Sequence, residues 1–239
     1  KQLCALALGV GMAVTGPMAL AAPVVGTFTG SASGQGLDLQ GNFNYALTVN
    51  AAAAGLQVGD ATFTDAASTA GALVTHQMTT TIALPTYSGS AEDLNLGQVM
   101  QNLVWSYAGQ QPGVSLTLDN LTIGQNYKIQ LLFGESCCAR GFDVFQDGAL
   151  LVDDFSTSSV GINNTLMSTF ISNEFMATSN SVVFSFGGAA PFADNNPVFH
   201  AATLEALDGA VQVAEPASLG LLLGGLGLIG LRRRKTGAA

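Results

Sequence analysis

An all-β sandwich of jelly-roll type is the fold this sequence predicts, and three observations carry that expectation. Short runs rich in Val, Thr and Phe alternate apolar and polar residues at period two, the spacing that puts one face of a strand into a core. Turn residues separate these runs at close intervals, and no long amphipathic helix breaks the series.

In chain order, the alternating runs fall at residues 42–50, 73–83, 115–118, 127–133, 142–146, 150–153, 181–186 and 198–207. Between them lie Gly59-Asp60, Pro85, Pro112-Gly113, Gly124-Gln125, Asp147-Gly148, Gly187-Gly188 and the run Asp194-Asn195-Asn196-Pro197. Asp147-Gly148 is the strongest local signal. A type I′ hairpin turn needs positive φ at both central residues, and this pair supplies it between residues 142–146 and 149–153. One short helix is expected at residues 93–99, with Glu92 and Asp93 placed to favour its N-terminal dipole.

The ends differ from this body. Lys1, an apolar run and then Ala19-Leu20-Ala21-Ala22 read as a secretory signal peptide over residues 1–22, with Cys4 inside the part removed. The β-sandwich domain is expected over 23–210, followed by a C-terminal segment over 211–239. In that segment a hydrophobic helix over 217–231 precedes a basic stop at 232–235. Fifteen helical residues reach only about 22 Å, short of a hydrocarbon core of roughly 30 Å, so such a helix spans only with snorkelling basic residues beyond it.

Charge is as unevenly spread as hydropathy. The chain carries a formal −9, with 10% charged residues, but five of its seven basic residues lie in the terminal segments. Without those segments only Lys128 and Arg140 oppose fifteen or sixteen acids, a net charge of −13 or −14 depending on the fate of Glu215. Such a surface repels phosphate backbones, which excludes nucleic acid as a partner, and it attracts divalent cations.

Glu215-Pro216, the Gly- and Leu-rich apolar run and the Arg232-Arg233-Arg234 cluster together resemble a PEP-CTERM sorting signal. Ala214 stands where that family usually has Pro. The resemblance implies transient insertion in the inner membrane of a Gram-negative bacterium, after cutting by signal peptidase at the other end. An exosortase-type processing enzyme would then cut the tag and release the body to the cell surface or the extracellular matrix. The simpler reading of the same segment is an ordinary single-span anchor, which also leaves the body outside the inner membrane.

A second resemblance lies in the body. Leu121, Gly124, Tyr127, Ile129, Leu131 and Phe133, followed by Arg140, Phe142, Asp143 and Val144, are similar to a strand phrase of malectin-like and other galactose-binding-like jelly rolls. The resemblance implies two packed sheets with a glycan bound by loops at one end or by one face.

Several residues are candidates for chemistry. Cys137 and Cys138 are adjacent in a chain expected to enter an oxidising compartment, so a vicinal disulfide, two free thiols and intermolecular pairing are all open. Asp143, Asp147, Asp153 and Asp154 crowd one hairpin and form a candidate calcium site, or else a solvated turn. Trp105 and Tyr107 share a face if their segment is extended, and with Arg140 they are the candidate ligand-binding residues; core packing is the competing role for the aromatics. His76 and His200 read as exposed strand histidines, and no Gly-x-Ser-x-Gly elbow positions a nucleophile. The expectation is therefore a non-catalytic matrix protein with an adhesive or structural role. A lectin-like module for exopolysaccharide is the alternative, and a secreted hydrolase comes third.

Overall fold

A computed structural model describes residues 21–82, 86–87, 89–135, 140–157, 168–188 and 194–207. The signal segment, Cys137, Cys138 and the whole C-terminal tag lie outside the described residues. About half the chain is strand, 51% against 7% helix, so the all-β expectation holds.

The first strands are β1 (Val24–Phe28), β2 (Phe43–Thr48), β3 (Gln57–Val58), β4 (Ala61–Thr62), β5 (Thr64–Asp65), β6 (Ala72–Thr75) and β7 (Met78–Thr81). After helix α1 (Ala91–Val99) come β8 (Asn102–Trp105), β9 (Val114–Leu118), β10 (Asn126–Phe133), β11 (Gly141–Gln146) and β12 (Ala149–Ser156). The chain then forms β13 (Ser168–Met176), β14 (Val182–Gly187), β15 (Val198–Phe199) and β16 (Ala201–Ala206).

Two sheets make the sandwich. One runs β1-β13-β10-β16-β2-β5 and the other β12-β11-β14-β9-β6, with a three-stranded sheet β15-β8-β7 beside them. Ile129, Leu131 and Phe133 of β10 point toward the five-stranded sheet and meet Leu116, Val144, Phe184 and Phe186 there. Phe133 is the hub, with its ring within 4.7–6.3 Å of the rings of Phe142, Phe155, Phe186 and Phe199.

The opposite face of the six-stranded sheet is also buried. Leu132, Phe170 and Ala201 belong to a second core with Phe28, Leu39, Phe63, Leu96 and Met100, closed by α1 and the segments around it. Helix α1 starts on a capping box. The Ser90 hydroxyl accepts from Asp93 N at 3.0 Å, and Asp93 Oδ2 accepts from Ser90 N at 3.2 Å. The other oxygen of buried Asp93 accepts from Ser31 N and Ser31 Oγ at 2.7 and 2.8 Å, which ties the loop after β1 to the helix.

Several expected elements are present with shifted bounds, and others are not what alternation suggests. The run expected over residues 73–83 is two strands in different sheets, parted at Gln77, whose N–H donates to Ser106 Oγ. The run over 198–207 is likewise broken at His200. That residue is fully buried rather than exposed: its Nε2 lies 2.8 Å from the carbonyl oxygen of Gly134, a correction to the sequence reading. The longest strand, β13, carries Ser168, Thr169 and Asn173 in buried positions and shows no clean alternation.

The phrase around Tyr127 has a physical explanation. Leu121 is buried, Gly124 has φ 84° and donates its N–H to Ala177 O, and the Tyr127 hydroxyl accepts from Thr122 N at 2.9 Å. A tyrosine hydroxyl bonded to backbone a few residues upstream locks the entry to a sandwich strand. Tyr127→Phe leaves the Thr122 N–H without its acceptor and is expected to cost about 1 kcal/mol. A denaturation midpoint unchanged from the parent would refute that role.

Candidate functional site

Three of the sequence candidates meet where β8 and β10 end. Trp105 closes β8, half-buried, with its indole N–H donated to Thr80 Oγ1 at 3.0 Å. Tyr107 lies edge-on to it, the ring centroids 4.8 Å apart and the planes at 72°, and it is 49% exposed. The Arg140 guanidinium sits 5.4 Å from the centroid of the Trp105 ring, in range of a cation–π contact. Its Nε lies 2.7 Å from Glu135 and 3.8 Å from Asp194, so the cation is held by two carboxylates with a side chain only 11% exposed. Trp105 is thus wedged in place, and Tyr107 presents the free aromatic surface.

The loop that carries Tyr107 is pinned to its surroundings. Tyr107 N donates to Gln77 Oε1, Ala108 N to Asn196 Oδ1, and Ser106 Oγ to Pro112 O. The same loop then forms one wall of a groove of about 520 Å³ on the outer face of the five-stranded sheet. Gln111, Pro112 and Gly113 make that wall, Ser115, Ser185 and Phe145 face the groove, and Gly187-Gly188 bound the other side. Among the described residues, no formally charged side chain lines it. Hydroxyls with an aromatic face and backbone amides are the groups that hold sugar hydroxyls and C–H faces.

The acidic candidates divide. Phe142 pairs with Phe155 and Val144 with Val152, so Asp153 and Asp154 together oppose the single residue Asp143. This β-bulge gathers one carboxylate oxygen from each of Asp143, Asp153 and Asp154 within 4.8 Å of one another. Asp154 has φ 51° and donates its N–H to Asp143 Oδ1 at 3.1 Å. Its pKa is raised by desolvation and by the charges of Asp153 and Asp143. Asp147 stands apart from this group. At φ 50°, followed by Gly148 at φ 80°, it makes the expected two-residue hairpin turn, and its Oδ1 accepts from Val183 N at 2.9 Å. Gly188, at φ 114°, packs against Asp143: a Cβ there would come 2.2 Å from Asp143 Oδ2, so the carboxylate cluster and the groove share a border.

Sequence reasoning missed the groove. Its residues come from four separate segments, and no local pattern marks them as neighbours. It also missed the burial of His200, whose ring meets the carbonyl oxygen of Gly134.

No protein-family model and no curated protein matches the chain. Solved structures do. A crystal structure of the plant peptide RALF23 in complex with FER and LLG2 matches with TM-score 0.54 and 10% identity over 70% of this chain and 49% of that one. The plant receptor-like kinase ANX2 matches with TM-score 0.50 and 11% identity over 63% of this chain and 44% of that one. A calcium-binding mutant of Bacteroides uniformis β-glucuronidase 2 is looser, at TM-score 0.47 and 10% identity over 77% of this chain and 18% of that one, and carries no argument. The chain spans less than half the length of each of these structures. At such identities the likeness establishes fold, and the fold is that of the malectin-like extracellular domains of plant receptor kinases.

Two pH effects follow. Burial holds the His200 pKa below its usual value, so the folded state keeps the ring neutral. The unfolded chain then takes up the extra proton as pH falls through the ordinary histidine range, and stability is lost on acidification. His200→Gln retains a donor for Gly134 O; it is expected to lower Tm less between pH 7.5 and 5 than the parent does, measured by a thermal melt at each pH. For Asp154 the folded pKa is raised, so its ionisation costs stability as pH rises through that value. Asp154→Asn is expected to raise Tm at pH 7, with the gain shrinking once the carboxylates are protonated. A gain independent of pH would trace instead to the tolerance of Asn for left-handed backbone.

Proposed function

We propose that the chain is an exported, non-catalytic ligand-binding protein whose malectin-like body recognises carbohydrate, acting in adhesion or scaffolding at the cell surface or in an extracellular matrix. The observation that carries the carbohydrate reading is the uncharged, hydroxyl-lined groove whose wall loop also holds Tyr107 against a braced Trp105. An ordered aromatic face next to hydroxyl and amide groups offers what a neutral sugar ring uses, and the fixed loop reduces the entropy lost on binding. The extracellular setting of its structural neighbours favours the same reading.

A hydrolase is the weaker account. His200 is sealed in the core, and His76 Nδ1 finds no acceptor among the described residues while Nε2 meets Thr79 Oγ1 at 3.2 Å. A triad needs an acid on the far nitrogen of its histidine. Calcium, if it takes part, would sit on Asp143, Asp153 and Asp154 at the border of the groove, where oxygen ligands of the right kind converge. The vicinal pair Cys137-Cys138 falls between Glu135 and Arg140, so a bridge there would stiffen the loop that braces Trp105. Export and sorting rest on the terminal segments alone, with signal peptidase and an exosortase-type enzyme as the processing partners.

Two measurements test this. The exported chain is applied to a glycan array with and without Ca²⁺, and Tyr107→Ala is expected to weaken each positive interaction about tenfold, in line with the loss of one sugar–aromatic contact. Silence across the array from protein shown to be folded would leave a purely structural matrix role. Mass spectrometry of protein from the native host is expected to show loss of the segment after about residue 214. Extracellular protein that still carries Arg232, Arg233 and Arg234 would sink the sorting proposal.

A further inference from the structure

A second hollow lies beyond the other end of β9. Val114 and Ser115, at the start of that strand, border the groove, whereas Asn120 and Leu121, past its last residue, border a separate hollow of about 450 Å³. Along the chain only residues 116–119, most of them in β9, lie between the two.

The chemistry of this hollow is unusual for so acidic a body. Phe43, Asn44 and Tyr45 of β2 form one side, Thr62 and Thr64 another, and Asn120 closes the end, with no formally charged side chain among the described lining residues. Tyr45 is fixed: its hydroxyl donates to Asp119 O at 2.9 Å and accepts from Asn120 Nδ2 at 3.4 Å. Gly71, at φ 81°, lets the neighbouring loop close on this pair, because a Cβ there would lie 2.4 Å from both Tyr45 Oη and Asn120 Nδ2. Thr64 and Thr69 share a hydroxyl hydrogen bond of 2.8 Å at the rim. Asn44 and Thr62 are exposed.

We infer that this hollow is a second carbohydrate subsite, selective for neutral sugars, and that the domain therefore engages a polysaccharide at two separated points. The inference rests on the carbohydrate reading of the groove and extends it. Amides donate to and accept from vicinal hydroxyls, threonines add hydroxyl partners, and the half-buried Tyr45 ring adds an aromatic edge at the wall. An anionic residue finds no cation here and meets the repulsion of a body carrying −13 or −14. Two sites on one rigid body raise the effective concentration of the second sugar once the first is bound, and they allow one molecule to join two strands.

The chain has a built-in means of separating the two sites. Trp105 is its only tryptophan and reports on the Tyr107 face, whose ring lies 4.8 Å from its own, while the side-chain amides of Asn44 and Asn120 report on the hollow. The full-length chain is titrated with cellotetraose, mannotetraose and tetragalacturonate, with Trp105 fluorescence and amide NMR signals followed on the same samples. The neutral tetrasaccharides are expected to shift the Asn44 and Asn120 amides saturably, and tetragalacturonate to leave them unmoved. Asn44→Ala combined with Thr62→Ala is expected to weaken that binding about tenfold, a loss of about 1.4 kcal/mol, and to leave the Trp105 response intact. Both side chains are exposed, so the fold survives their truncation. A Trp105 response without movement of the Asn amides overturns the second subsite and leaves the groove standing. Amide shifts without a Trp105 response overturn the Tyr107 face as a sugar platform and leave the hollow as the binding site. Amide shifts produced by tetragalacturonate alone overturn the neutral selectivity, and silence from both reporters overturns both sites.

Discussion

A strand buried on both faces sets the terms for the rest of this molecule. β10 sends Ile129, Leu131 and Phe133 into the sandwich core and Leu132 into a second core behind it. The first face is covered by the five-stranded sheet, as in any two-layer sandwich. The second would expose a wide apolar surface unless another layer covers it. Helix α1 and the segments around β3, β4 and β5 supply that layer, and the buried carboxylate of Asp93 fastens it to the loop after β1. Polar groups on the central strands are matched rather than left bare: Gln130 accepts from Asp38 N at 2.9 Å and donates to Thr203 Oγ1 at 3.0 Å.

The same strand directs function to its two ends. Past Phe133 the chain reaches Glu135 and Arg140, the ion pair that presses on Trp105. Before Asn126 it passes the turn at Asn120 and Leu121, which shapes the hollow beneath Tyr45. Between these ends the sheets carry the apolar core. Their contribution is rigidity, which holds aromatic and amide groups in fixed positions, while the loops supply the chemistry.

Much of this architecture was legible from local pattern. The β11–β12 hairpin follows from Asp147-Gly148, because two positive φ values in succession admit few other residue pairs. β9 and β14 follow from alternation, since one face of each strand meets the core, whereas β10 alternates only over its first half before both faces are buried. β13 escaped because it lies beside β10 in the middle of its sheet, where neighbours on both faces accept Thr169 and Asn173 as readily as Phe170 and Ile171. His200 escaped for a related reason: a buried imidazole is marked only by a partner 66 residues away, the carbonyl of Gly134. Among the site residues, Trp105, Tyr107 and Arg140 form one candidate set in the sequence, and Trp105 is in contact with each of the other two. The four acids were nominated together, yet the register of the hairpin keeps three and sends Asp147 to the turn. Proximity in sequence suggested the cluster, and only the bulge decides its membership.

That bulge also bears on how the protein behaves in company. β12 is the outermost strand of its sheet, and an outermost strand offers a row of open backbone groups to any identical neighbour. The extra residue bends this row out of line, and Asp153 and Asp154 hold negative charge along it. A second copy approaching in the usual antiparallel manner would bring its own carboxylates against these. Edge-to-edge pairing of two copies through β12 is thereby disfavoured.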